Sequence, residues 1–89
     1  MRAIITVIGK DAVGIIAEVS DILRKNDVNI LDISQSVLSD LFAMVMLVDI
    51  TQCKVGLAEL ADTLSERGHA LGLTIHTMHE DIFNSMHRI

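Results

Sequence analysis

The chain has no proline, no tryptophan and no tyrosine, and it carries only two phenylalanines and one cysteine. Basic residues are also scarce: seven Lys and Arg stand against twelve Asp and Glu, a formal charge of −5. Nucleic acid is therefore not an expected partner, because phosphates repel such a surface and there is neither a basic cluster nor a set of stacking aromatics to offset this. A single cysteine, Cys53, excludes an internal disulfide and fits a reducing compartment. No apolar run approaches the roughly 20 residues of a membrane span. Arg2 precedes only a few apolar residues before Gly9-Lys10-Asp11 interrupts them, which does not read as a signal peptide. The expected location is the cytoplasm, with no membrane partner.

What is present is apolar. Of 89 residues, 51% are hydrophobic and 21% charged, far from a disordered composition. The length suits one domain. A domain of this size buries roughly 60–65% of its unfolded surface, so a chain this apolar carries more than a small monomer readily hides. Self-association is expected.

Strand-like and helical patterns alternate along the sequence. In Ala3 to Ile8, Ala3, Ile5 and Val7 share one face, while Ile4, Thr6 and Ile8 share the other; both faces look at least partly covered. A helix follows over residues 13–26, with Ala12, Ile15, Ile16, Val19, Ile22 and Leu23 on one side at helical spacing. Asp21 and Lys25 are spaced to pair at i,i+4, and Asn26-Asp27 reads as the stop. Val28 to Leu38 is extended but changes phase. Val28 and Ile30 point one way and Ile33 and Val37 have the opposite parity, which requires a bulge near Leu31-Asp32. Ser39-Asp40 makes a turn into Leu41 to Val48, an unbroken apolar run that reads as a strand buried on both faces, with Met44 and Met46 as core filling. A second helix over 54–67 carries the stripe Leu57, Leu60, Ala61 and Leu64, with Gly68 suited to its C-terminal cap. Leu73 to His79 is the last strand. In the tail, Ile82, Phe83, Met86 and Ile89 recur at helical spacing. The order strand-helix-strand-strand-helix-strand defines an α+β class, the ferredoxin-like βαββαβ sandwich, with both helices on one face of a four-stranded antiparallel sheet. Residues 1–79 form the domain and 80–89 a short helical tail.

The chemistry-bearing segment is Gly9-Lys10-Asp11-Ala12-Val13-Gly14, a glycine-bracketed turn from strand into helix. Free N–H groups and the positive end of the helix dipole favour an anion there. Asp11 is placed either to cap the helix itself or to accept from a ligand's ammonium group. Other chemistry finds less footing. His76 and His79 are three apart on a strand and so point to opposite faces. His69 and His87 are scattered, and no metal or other cofactor is expected. Cys53 has no His and acid partners at a recognisable spacing, Glu80-Asp81 are adjacent with diverging side chains, and no phosphate-binding loop is present. The expectation is a non-enzyme. A metal-dependent enzyme built on His79, Asp81 and His87 ranks behind a binding module and behind a ligand-free interaction protein.

The turn Lys10 to Ile16, the Val28-Asn29-Ile30 that follows the first helix, and the tail His79 to His87 together resemble the ACT domain, a family of small regulatory modules. The likeness is greatest to single-domain ACT proteins related to the glycine cleavage repressor. The resemblance implies a homodimer with an amino-acid effector at the subunit interface, acting on a regulated protein partner. It maps the ligand contacts to Asp11, Ala12, Val13, Gly14 and Ile15 in the turn, and to Asn29 and Ile30 at the start of the second strand. Within that set, Asp11 and Asn29 are the polar holders and Gly14 is the close-approach position. The chain departs from many relatives at residues 12–13, where Ala-Val stands instead of a proline before the glycine, and at Gly9, where some relatives present a ligating side chain.

Overall fold

The computed structural model describes residues 1–10 and 14–86. The elements are β1 (Arg2–Gly9), α1 (Ile15–Lys25), β2 (Asn29–Leu38), β3 (Leu41–Asp49), α2 (Leu57–Ala70), β4 (Thr74–His79) and α3 (Glu80–Met86). The strands form one sheet in the order β2-β3-β1-β4, and every pairing is antiparallel. This is the βαββαβ sandwich that the alternation of patterns predicts, with α3 appended.

Register decides which residues share a face. Ala3, Ile5 and Val7 of β1 lie opposite Val48, Met46 and Met44 of β3, and all six are essentially inaccessible. From the helical layer above this face, α1 adds Ile15, Val19 and Leu23 to this core, and α2 adds Leu60 and Leu64. The pairing of β2 with β3 shifts between Ile30 and Asp32. Ile30 and Ile33 consequently pack on the core together despite their opposite parity, which is the bulge the sequence phase demands.

Three expectations need correction. Leu41 to Val48 is not buried on both faces: Phe42, Met44, Met46 and Val48 are buried, but Leu41 and Val45 are exposed. Both helices cover one face, and among the described residues nothing of comparable size covers the other. Gly68 is not the cap of α2. It lies inside the helix, where an added Cβ would stand 2.6 Å from Cγ1 of Ile75; its missing side chain lets α2 seat closely on β4. The cap is one turn later. Gly72, at φ +75°, donates to the His69 carbonyl at 3.1 Å and Leu73 donates to the Gly68 carbonyl at 2.7 Å, a Schellman arrangement. Ile16 is 39% exposed because it falls at the rim of the α1 stripe, whose centre is Ile15, Val19 and Leu23. Ala12 lies outside the described residues. In addition, α2 begins at Leu57, three residues later than the pattern implies. Residues 50–56 are instead tied back as a loop, with Lys54 N–H donating to the Asn26 carbonyl at 3.0 Å and Val55 packed against the core.

Candidate functional site

The residues mapped to a ligand fall into two groups. Of the first, Asp11, Ala12 and Val13 lie outside the described residues. Gly14 is the N-cap of α1 at φ 77°, ψ −7°, a left-handed conformation in which a Cβ costs roughly 1–2 kcal/mol. Its carbonyl accepts the first helical bond, from Glu18 N–H at 3.0 Å. Among the described residues no side chain caps this helix start. Ile15 is buried, so its side chain belongs to the core and only its backbone is available to a ligand.

Next to Gly14 is a shallow, open depression of about 470 Å³ lined also by Ala17, Glu18 and Asp21. Both carboxylates are held ionised. Arg67 of α2 grips Glu18 with two bonds, 2.8 and 3.1 Å, which lowers the Glu18 pKa and raises that of Arg67. Lys25 at 2.9 Å and Arg24 at 2.8 Å lower the pKa of Asp21. Sequence spacing finds the Asp21–Lys25 pair. The Glu18–Arg67 pair is 49 positions apart, and no local signal could have found it.

The second group lies at the other end of α1. A Schellman exit parallels that of α2: Asp27 donates to the Arg24 carbonyl at 3.1 Å and Val28 to the Leu23 carbonyl at 2.9 Å. Here the left-handed residue is Asp27, φ 57°, not a glycine. Val28 is then buried, and the chain turns into β2 with Asn29 exposed and Ile30 half-buried. A depression of about 500 Å³ opens here, lined by Ser20, Arg24, Asp27, Asn29 and Ile30 among others. Across the ladder, Asn29 opposes Asp49. That carboxylate accepts from the Thr51 hydroxyl at 2.6 Å and the Thr51 N–H at 2.9 Å, which keep its pKa below the ordinary carboxylate value. Ser20, Arg24 and Asp27 were not among the residues read from the sequence as ligand contacts.

One chain does not bring the two groups together. The 11 residues of α1 separate them by about 16 Å of helix axis. The sheet tells the same story. Gly9, at the end of β1, lies opposite Phe42, which lies opposite Val37. The end of β1 is therefore level with the Val37 end of β2, and Asn29 is at the opposite end of the same edge strand.

The remaining candidates separate as well. His76 opposes Thr6 and His79 opposes Ala3, so the two histidines lie on opposite faces. Nδ1 of His79 accepts from Asp81 N–H at 3.1 Å, and Glu80 pairs with Arg2 at 2.7 Å. His87 lies outside the described residues. Among the described residues no group of three metal-ligating side chains converges, and no helix is long and apolar enough to cross a membrane.

The sequence model of the ACT domain matches residues 2–78. The chain belongs to the ACT domain family. A UPF0237 protein of Methanocaldococcus jannaschii is 50% identical over 88 residues, covering 99% of this chain and 98% of that protein. Among solved structures, an ACT domain protein from Streptococcus pneumoniae is 38% identical, with a TM-score of 0.82 over 93% of each chain. A protein described as a glycine cleavage system transcriptional repressor shares the fold, with 23% identity and a TM-score of 0.70; the match covers 85% of this chain and 43% of that one. ACT domains are small-molecule-binding regulatory modules, and this ACT domain shares that fold along nearly its whole length.

Proposed function

We propose that this ACT domain is a homodimeric sensor that holds a free amino acid between subunits and regulates a protein partner through the geometry of the dimer. The observation that carries the reading is the split of the mapped contacts between the two ends of β2. β2 is an edge strand of 10 residues, and an edge of that length invites pairing. An antiparallel β2–β2 joint across a two-fold axis sets Asn29 of one subunit beside the glycine turn of the other. The same joint supplies a neighbour for Val37, which is 68% exposed on the helix side of the sheet.

In this arrangement the effector's carboxylate meets the N–H groups at the start of α1, and its ammonium meets Asp11, or Asn29 and carbonyls of the partner's β2. The ionised Glu18 and Asp21 beside Gly14 oppose a bare anion and favour a zwitterion, whose ammonium compensates them. A glycine-sized effector has about five non-hydrogen atoms, and a ceiling of about 1.5 kcal/mol per atom limits its affinity to the micromolar range. Ordering of the joint on binding shifts the dimer between two geometries, and this shift is what a partner reads.

Titration calorimetry against the twenty amino acids tests the reading. Heat is expected from one amino acid or a chemically related few, weakened at least tenfold by Asn29→Ala. Silence toward all twenty would refute it. The exposed apolar residues of the open sheet face favour a second reading, self-association without an effector. Silent calorimetry on a protein that sediments as a stable oligomer would select that one.

A further inference from the structure

The depression of about 500 Å³ at the exit of α1 is walled by Ser20 and Arg24 of the helix, by Asp27 just beyond it, and by Asn29 and Ile30 of β2. It opens on the flank of α1 that faces the β2 edge. Glu18 marks the other flank, where Arg67 of α2 holds it with two bonds. Ser20, two residues on, lies about 160° round the helix from Glu18.

Asp27 is the only carboxylate among the residues that line this depression, and it is weakly held. Arg24 is engaged by Asp21, whose carboxylate it meets at 2.8 Å. Among the described residues the Asp27 carboxylate accepts no hydrogen bond and meets one cation, Nζ of Lys54, at 3.8 Å; both side chains are more than half exposed. A pair of that length and exposure contributes little to stability. The backbone points the same way. Asp27 stands at φ 57°, in the left-handed position that Gly72 fills at the end of α2. A side chain there costs free energy that a glycine would not, and in return a carboxylate lines the depression.

We infer, resting on the homodimeric sensor proposed above, that Asp27 of one subunit holds the ammonium group of an effector whose carboxylate lies at the α1 start of the other, and that this ammonium displaces Lys54. Within one chain the two ends of α1 are too far apart to meet one small molecule. The two-fold axis of a β2–β2 joint runs the two α1 helices antiparallel, so the exit of one stands level with the start of the other. A carboxylate at that level is also favoured by the positive end of the partner's α1. Asn29 offers only a neutral amide oxygen, a weaker acceptor for an ammonium than an ionised carboxylate. The ligand class that follows is an α-amino acid with a free, charged amine. A 2-hydroxy acid of the same shape keeps the carboxylate and loses the bond to Asp27.

Calorimetric titration of the full chain, its Asp27→Asn variant and its Lys54→Met variant tests this. The probes are the twenty amino acids and, for those that give heat, the matching 2-hydroxy acid. Asparagine tolerates the left-handed backbone as aspartate does, and far-UV circular dichroism confirms that each variant folds. The expected result has three parts. Asp27→Asn weakens the amino acid at least tenfold. The hydroxy acid binds the parent at least tenfold more weakly than the amino acid does, and binds Asp27→Asn no more weakly still. Lys54→Met tightens the amino acid a few-fold. Amino-acid binding to Asp27→Asn within twofold of the parent overturns the inference and leaves the sensor standing. A hydroxy acid that binds the parent as tightly as the amino acid, or that loses as much in Asp27→Asn, overturns it too, because Asp27 then does not act on the ammonium. Weaker binding in Lys54→Met overturns the displacement. Silence of the parent toward all twenty refutes the sensor itself, and the role of Asp27 with it.

Discussion

The two faces of the sheet are built from the same strands, and each carries aliphatic residues, yet they have opposite fates. On one, Ala3, Ile5, Val7, Met44, Met46 and Val48 are sealed beneath two helices. On the other, Ile8, Leu41 and Val45 stand exposed beside half-buried Leu47 and Ala43. Hydrophobicity alone does not say which face is core. An antiparallel sheet with one covered face is ordinary, but its free face is then normally polar. Here the free face keeps Ile8, Leu41 and Val45 exposed, so burial on the covered face carries the folding energy and these side chains add little to it.

Adjacent residues of β3 give the most direct way to break this contrast. Met46→Ala removes a fully buried side chain and leaves a cavity, an expected loss of about 2–5 kcal/mol in chemical denaturation. Val45→Ala, one residue away on the open face, is expected to cost under about 1 kcal/mol in the dissociated chain. Equal losses would mean that the open face is part of the folding core.

The seating of α2 on the covered face is the next test. Gly68→Ala drives a Cβ into Ile75, and overpacking of this kind costs about 1–3 kcal/mol. Ile75→Val in the same chain should recover part of the loss, and denaturation midpoints of the single and double variants would show whether the two are coupled.

The two helix exits sharpen the comparison further, because both end in the same backbone motif with different residues in the left-handed position. Gly72→Ala should destabilise by about 1 kcal/mol, and Asp27→Gly should stabilise by up to about 1 kcal/mol by relieving its backbone. If Asp27→Gly weakens amino-acid binding while raising the melting temperature, the strained residue serves the site and not the fold.

The smallest effect is at the solvent-facing carboxylates. Glu18, Asp21 and Asp49 all have pKa values lowered in the folded chain. Their contribution is present in full above the unfolded carboxylate pKa of about 4 and is lost as pH falls through the lower folded values. Thermal melts should therefore drop modestly between about pH 5 and pH 3. The drop should shrink in Glu18→Gln and at high salt, because all three groups are exposed and screened.

Much of this was legible from residue order. The alternation of periods gave the six elements of the sandwich, and the opposite parity of Ile30 and Ile33 located the bulge at Leu31 before any register was known. The Leu57-Leu60-Ala61-Leu64 stripe gave the face of α2. The misreadings share a cause: each concerns what approaches a residue from elsewhere in the chain. Gly68 looks like a terminator because a glycine near the end of a stripe usually is one, and only the distance to Ile75 reveals its purpose. Leu41 to Val48 looks doubly buried because a run of apolar side chains is the same whether or not a helix lies over it. On the candidate site, the turn and Asn29 were visible as residue types at suggestive places, but their position at opposite ends of one edge strand was not.

The sequence by itself determined the periodicities, the turns and the sign of the surface charge, since these follow from local geometry and from which side chains occur next to which. Tertiary structure alone decided which sheet face the helices cover, that Arg67 holds Glu18 ionised, and that the two halves of the candidate site stand about one helix length apart. Each of these depends on distances between segments remote in the chain, and a linear pattern contains no such distances.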